Sequence, residues 1–292
     1  MFVLAHLSDP HLGPLPKPHP FDLLSKRAIG FVNWHRGRKA IHRMEVLSAI
    51  VHDLKAQKPD HIALTGDLVN IALPSEFERS RPWLDPLGTP DELTIVPGNH
   101  DLYVRRAHAA PGAHWGEFMR GDGGEDFPFL RERGPVALVG LSSAVATAPF
   151  MATGKVGAAQ LAKLKPLLAG LGARGKFRAV LIHHPPSAKP GGRFKRLLDA
   201  EALRQVLRET GAELVLHGHD HVHSVSYLET KTGRAAIVGV PSASSGGGHG
   251  DPAAYNLYRI ARTDGGWRCE AITRGFRRGQ EQISELSRRD LL

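Results

Sequence analysis

Pro97-Gly98-Asn99-His100-Asp101 follows the apolar run 93–96 and puts flexible and polar groups directly after a predicted strand. A glycine at a strand end lets the backbone turn sharply and presents the next side chains at the rim of a sheet, where ligands bind in α/β folds. Asn99 brings an amide oxygen and His100 a ring nitrogen. Alone, the pentapeptide reads equally well as a turn held by Asn99 beside a solvated histidine. Its company decides between the two. Asp9-Pro10-His11 closes the apolar run 2–8, Gly66-Asp67 closes 61–65, His183 closes 177–182, and His217-Gly218-His219-Asp220-His221 closes 214–216. With the opening stretch, five predicted strand ends carry metal-ligand chemistry.

The runs alternate with helical patterns, which implies an α/β sheet with parallel pairing and right-handed crossovers. Val46, Leu47, Ile50, Val51 and Leu54 keep helical spacing over 43–58, and Pro59 stops that helix. A second helix is predicted over 75–84. Leu161, Leu164, Leu168 and Leu171 keep the period again, although Pro166 interrupts it. Asp199 reads as the N-cap of a helix over 200–210. Strands are predicted over 136–141, 224–230, 234–240, 255–261 and 267–273, and the tail 277–292 reads as a frayed helix. The loop-rich stretch 103–129 receives no role.

A chain of 292 residues can bury a sizeable core without staples. With no repeat and no linker, it reads as a single domain over 1–292, carrying a basic aromatic insertion or cap at about 12–43 and a C-terminal tail at about 277–292. The lone Cys269 excludes a disulfide framework and a cysteine zinc cluster, so a reducing, cytoplasmic setting is expected. The first strand runs straight into Asp9, leaving no room for a signal peptide. The uncharged stretch 134–154 matches a membrane span in length, but Pro135 and Pro149 make a strand plus loop the better reading.

The net charge of +9 and pI near 9.9 favour anionic partners without choosing among them. In the insertion, Lys26, Arg27, Arg36, Arg38, Lys39 and Arg43 interleave with Phe21, Leu23, Leu24, Ile29, Phe31, Val32 and Trp34. Such interleaving suits peripheral contact of 21–43 with an anionic (inner) membrane or a grip on an amphipathic anionic substrate. It equally suits a lid that packs its aromatics on the main body.

The candidate donors are Asp9, His11, Asp67, Asn99, His183, His219 and His221, hard oxygens and imidazoles without thiolate. That mix suits Mn, Fe or Zn better than Ca or Mg. Seven donors exceed what one metal takes from protein, so two divalent or trivalent ions with Asp67 as bridge are expected. Two metals about 3.5–4 Å apart can share a hydroxide and clamp the attacking and leaving oxygens of a phosphoryl transfer. His100 is then placed to protonate the leaving oxygen or stabilise phosphoryl charge, which makes His100 and Asp67 the candidate catalytic residues.

Asp-x-His, Gly-Asp, Gly-Asn-His-Asp, a strand-terminal His with Pro two positions on, and Gly-His-x-His, in this order over 9–221, resemble the calcineurin-like metallophosphoesterase superfamily. The resemblance implies a four-layer α/β/β/α sandwich with two mixed β-sheets and a dinuclear site on the loops at the sheet ends. It implies one metal at Asp9, His11, Asp67 and His221, the other at Asp67, Asn99, His183 and His219, and His100 as catalytic histidine. His183 rather than His184 fits the His-x-Pro pattern, leaving His184 a supporting or surface place.

Gly66-Asp67-Leu68-Val69-Asn70 lacks the Asp-Arg-Gly continuation of the superfamily's protein phosphatases, and Asp101 stands where those carry Glu. The stretch 198–219, from Leu198-Asp199-Ala200-Glu201 through Leu216-His217-Gly218-His219, looks most like the bacterial cyclic-nucleotide phosphodiesterase (class III) branch. The expected function is therefore a phosphodiesterase that cleaves a small phosphorylated anionic substrate by attack of a metal-bridging hydroxide. A pyrophosphohydrolase or phosphoesterase for an amphipathic lipid-linked substrate such as UDP-2,3-diacylglucosamine is the alternative. A nuclease is third and rests on charge alone, so nucleic acid is disfavoured as a partner. A non-catalytic scaffold is disfavoured because no ligand position is lost. Lys189, Arg193, Lys195 and Arg196 could neutralise substrate phosphates or form an ordinary solvated loop.

Overall fold

The computed structural model describes residues 1–186, 192–247 and 250–292. Its centre is β1 (Phe2–Leu7), whose residues are nearly all buried because the strand is covered on both faces. β1 pairs in parallel with β2 (His61–Leu64), which pairs in parallel with β3 (Leu93–Ile95). Helices Met44–Ala56 and Pro74–Leu84 make the two crossovers. On its other edge β1 pairs antiparallel with β10 (Ala254–Thr263), followed by β11 (Gly266–Phe276) and β12 (Ile283–Asp290).

The second sheet has the order β4 (Phe129–Arg133), β5 (Val136–Gly140), β6 (Phe177–Leu181), β7 (Leu214–His217), β9 (Gly233–Gly239) and β8 (Ser224–Thr230). Both sheets are mixed, as expected, each with parallel and antiparallel pairs.

The period-two alternation of β6 shows how the layers close. Phe177, Ala179 and Leu181 point into the core shared with Leu4, Leu64 and Ile95 of the first sheet. Val180 and Ile182 point the other way, against Leu164, Leu168 and Leu171 of helix Ala158–Ala173 and Leu203 and Leu207 of helix Ala200–Thr210. Leu47, Ile50 and Leu54 cover the outer face of the first sheet, completing helix, sheet, sheet, helix. Each fully buried leucine contributes about 1.5–3 kcal/mol to that closure.

Four expectations change. The tail 277–292 is not helical: β12 forms a largely exposed edge strand, held by antiparallel pairing with β11 from Phe276↔Ile283 to Glu270↔Asp290. Pro166 does not break its helix, which continues through it from Ala158 to Ala173 with the proline on the exposed side. Asp199 does not cap the helix after it. Its carboxylate accepts instead from the backbone N–H of Val156 (3.0 Å) and Gly157 (2.7 Å), fastening the neighbouring helix entry. The stretch 103–129 has a role after all, since Trp115, Phe118 and Met119 are buried in the shared core.

Candidate metal centre

Every predicted donor lies just beyond a strand end on one edge of the sandwich, and backbone geometry aims it. Asp9 (φ 52°), His11 (φ 41°), Asp67 (φ 56°), His219 (φ 70°) and His221 (φ 56°) all adopt left-handed backbone, which L-residues hold only where the surroundings dictate it. Glycine serves close approach here. A Cβ on Gly98 would stand 2.2 Å from Asp67 Oδ1, and one on Gly218 would stand 2.3 Å from Asp9 Oδ2.

The donors converge on Asp67. Its Oδ2 lies 3.3 Å from His183 Nε2 and 3.8 Å from His11 Nε2, between two sets of imidazoles. On the first side, His221 Nε2 stands 3.1 Å from Asp9 Oδ1 and 3.4 Å from His11 Nε2. On the second side, His183 Nε2 stands 3.2 Å from Asn99 Oδ1, and His219 forms a group of potential ligands with His183 and His184. Backbone carbonyls fix the rings. His11 Nδ1 donates to Val69 O (3.3 Å) and His183 Nδ1 to Thr65 O (2.6 Å), which turns each Nε2 toward the carboxylates. His219 Nε2 donates to Lys195 O (2.9 Å), leaving Nδ1 as its lone-pair nitrogen.

Asp9 and Asp67 are buried carboxylates faced by imidazoles, with no Lys or Arg in ion-pair contact among the described residues. Burial disfavours the charge of Asp9, yet the imidazoles hold it below the usual carboxylate range, and they hold Asp67 well below. At His183, burial works against protonation, but the Asp67 carboxylate outweighs it and raises the group to about 10. A charged carboxylate pair ringed by nitrogen and amide donors suits a borderline metal cation, so the residues present fit the group that the motifs imply.

His100 sits beside this cluster, and its backbone N–H donates to Asp67 Oδ1 (2.7 Å). Its Nδ1 is committed to Asn70 O, so Nε2 faces the site. Burial and the neighbouring Arg38 guanidinium push it down to about 3, so the ring is neutral in the free site.

Sequence reasoning did not place Arg38, His42, Tyr103 or Asp101. Arg38 enters the centre from the insertion. His42 donates or accepts at Ser244 Oγ (2.9 Å) through Nδ1 and forms a further potential ligand group with His11 and His221. Tyr103 stacks on His100 at 5.3 Å between centroids. Asp101 closes the opening strand-end stretch without a donor role there, Tyr103 falls in the loop-rich stretch 103–129, and basic and aromatic interleaving signals only the insertion that carries Arg38 and His42. His184 is buried rather than on the surface, its Nδ1 on Ser143 Oγ (2.8 Å) and its Nε2 on Ala152 O (3.2 Å), so both nitrogens are committed. Arg193, Lys195 and Arg196 are exposed, and Lys189 lies outside the described residues.

The family model for the calcineurin-like phosphoesterases matches residues 2–223. The chain belongs to that family. Membership makes it a metal-dependent phosphoester hydrolase. A probable cyclic nucleotide phosphodiesterase of Synechococcus sp. (strain WH7803) is 30% identical over 228 residues, 75% of this chain and 74% of the relative. A cAMP/cGMP dual specificity phosphodiesterase of Mycobacterium tuberculosis is 28% identical over 82% of this chain and 65% of the relative. Among solved structures, a dimetal phosphatase from Danio rerio superposes with a TM-score of 0.66 at 12% identity, covering 98% of this chain and 99% of that one. That likeness shows the shared fold. Among the described residues no helix is long and apolar enough to cross a membrane.

Proposed function

We propose that the chain is a dinuclear-metal phosphodiesterase that hydrolyses a small soluble phosphodiester, with a cyclic nucleotide as the leading substrate class. The observation that carries the dinuclear part is the position of Asp67 Oδ2 between His183 Nε2 at 3.3 Å and His11 Nε2 at 3.8 Å. The names of the two phosphodiesterase relatives support the diester and nucleotide parts.

In this reading Asp9, His11, Asp67 and His221 hold one cation, and Asp67, Asn99, His183 and His219 the other. When bound, the cations supply Lewis acidity toward the phosphoryl group and its nucleophile. The chain's own residues do the rest. Val69 O and Thr65 O hold the imidazoles of His11 and His183 in the tautomer that keeps Nε2 for ligation. His100 meets the leaving oxygen through Nε2, since Asn70 O occupies Nδ1. Burial of Asp9, His11, Asp67, Asn99 and His183 strengthens each electrostatic contact among them.

A hydrolysis panel on Mn-loaded protein tests this, covering cyclic nucleotides, linear diesters, monoesters, lipid-linked nucleotide diphosphates and single-stranded DNA, with Asp67→Ala as blank. Preference for soluble diesters and two metals per chain support the reading; monoester preference or one metal per chain overturns it.

A second reading has its own observation. Phe21, Leu24 and Phe150 are 72%, 79% and 80% exposed. Lys26 Nζ ties their segments together through Thr147 Oγ1 and Met151 O, both at 2.7 Å. An apolar rim of this kind would suit an amphipathic substrate or an anionic membrane. Failure of anionic liposomes to sediment the protein removes that reading.

A further inference from the structure

The insertion does more than cover the site. Helix Arg27–Asn33 passes into a π-helical turn, Trp34–Arg38, and π-helical turns gather at functional positions. Trp34 is buried and lies parallel to the His42 ring, with 4° between planes, which anchors the turn and directs Arg38 inward. There the guanidinium spans two candidate active-site histidines. NH1 is 2.9 Å from His100 Nε2, and NH2 is 3.1 Å from His11 Nε2. These are the lone-pair nitrogens, because Asn70 O and Val69 O take the protons of the two Nδ1 atoms.

A guanidinium stays charged under all ordinary conditions. Arg38 forms no ion pair among the described residues, whereas the buried Arg27 pairs with Asp22 at 2.7 Å, Arg178 pairs with Glu213 at 2.7 Å, and Arg131 spends its donors on backbone carbonyls of Pro90, Leu93, Glu117 and Arg120. Burial disfavours the half-covered guanidinium, and the Asp67 and Asp9 carboxylates offset this only from beyond ion-pair distance, so an entering anion would be its first direct countercharge. A cation at His11 would take the lone pair to which NH2 now donates. The guanidinium would then keep His100 and turn free donors toward whatever anion enters. Its planar fork of N–H groups matches the oxygens of a phosphoryl group.

We propose that Arg38 is a substrate-binding residue whose guanidinium grips a non-bridging oxygen of the phosphoryl group, making the insertion part of the active centre. The proposal rests on the reading above for the place of the phosphoryl group, but not for the kind of ester. The alternative is that Arg38 merely steadies the His100 ring, a role that would alter turnover and leave phosphate affinity alone.

The test uses full-length Mn-loaded protein as wild type, Arg38→Ala, Arg38→Gln, Arg38→Lys and Arg36→Ala, the last an exposed cation on the same turn. Metal content is measured by elemental analysis. Inorganic phosphate affinity is measured by calorimetry and by inhibition of bis(p-nitrophenyl) phosphate hydrolysis. Loss of a charge-assisted bond predicts phosphate binding weakened about tenfold or more in Arg38→Ala and Arg38→Gln, with KM rising in parallel. Arg38→Lys should fall between, and Arg36→Ala should match wild type. Phosphate affinity within about twofold of wild type in a metal-replete Arg38→Ala or Arg38→Gln overturns the proposal. Should Arg38→Ala lose metal, Arg38→Gln, which keeps the side-chain length and a donor for His100, decides. Wild type that binds phosphate through Arg38 but cleaves no diester would sink the phosphodiesterase reading and leave this inference standing.

Discussion

Asp101 Oδ2 accepts a hydrogen bond from the backbone N–H of Asp67 at 2.9 Å, so the last residue of the Gly-Asn-His-Asp stretch holds the loop of the Gly-Asp stretch. The same oxygen accepts from Gly98 N–H (2.8 Å), and Oδ1 accepts from Val69 N–H (3.1 Å). One buried carboxylate thus joins the loops after β2 and β3. Burial and the charge of Asp67 raise its pKa to about 7, against the three donors that favour the anion. Asp101→Asn turns an acceptor into an amide that faces backbone N–H groups. Metal affinity should fall about 10- to 100-fold, as for other supports of ligating residues, with the circular dichroism unchanged. Chelator-competition titration measures it, and an unaltered affinity would show that the joint does not position Asp67.

Gly98→Ala attacks the same place by volume. Its Cβ would lie 2.2 Å from Asp67 Oδ1 and 2.6 Å from Asp67 N, so the carboxylate between the two imidazole sets must move. A displacement on the order of 1 Å in such a site costs about 100-fold in rate. Gly170→Ala is the paired control. Gly170 lies in helix Ala158–Ala173 with nothing within 4 Å of a new Cβ. That change should stabilise the protein by about 0.5–1 kcal/mol and leave turnover alone. Steady-state rates and urea midpoints on the two variants separate a steric effect at the site from a general effect of alanine.

The parts that could be read from the sequence are those where one residue type has one use. Asp9, His11, Asp67, Asn99, His183, His219 and His221 each end a strand, and strand ends are visible as apolar runs that stop at polar residues. The structure brings all seven to one edge of the sandwich. What could not be read depends on contacts distant in sequence. Arg38 reaches His100 across 62 positions through a π-helical turn that has no hydrophobic period. The role of Asp101 is invisible in the sequence because its partners include backbone N–H groups of another loop, at Asp67 and Val69. β12 was read as helix because its outward face is charged in every register, and only pairing with β11 shows which residues turn inward.

Burial of neutral imidazole away from the site gives a pH effect on stability. His61 is buried in β2 with Nε2 on Thr94 Oγ1 (2.8 Å), and burial lowers its pKa from 6.5 to about 3. The folded chain therefore binds fewer protons here than the unfolded chain between those values. Stability that is fully present above pH 6.5 is lost progressively as pH falls toward 3. His6 adds a second contribution of the same sign, its pKa also lowered to about 3 by burial first and by His217 second. The urea midpoint should fall between pH 7.5 and pH 5, and His61→Gln, which cannot titrate, should flatten part of that slope. An equal slope in the variant would assign the acid sensitivity elsewhere.

Metal loading should release a proton from His183. Without metal, burial works against the imidazolium, but Asp67 Oδ2 at 3.3 Å overcomes it and, with help from Asp9 and from donation to Thr65 O, raises the group to about 10. Nε2 can then serve as a ligand only after its proton leaves. At pH 7.5 the group is protonated in the metal-free chain, so binding should expel about one proton, and apparent affinity should rise about tenfold per pH unit until pH approaches that value. Stability carries the matching sign. A pKa raised in the folded state contributes stability that is complete below the unfolded value of 6.5 and is lost as pH climbs through about 10. The metal-free protein should weaken between pH 7 and pH 10 while the loaded protein does not, because a cation has taken over the countercharge to Asp67. Calorimetric Mn titrations in buffers of different ionisation enthalpy count the proton directly, and His183→Asn should abolish the count. A titration that releases no proton from wild type would mean that His183 is neutral before the metal arrives or does not ligate it.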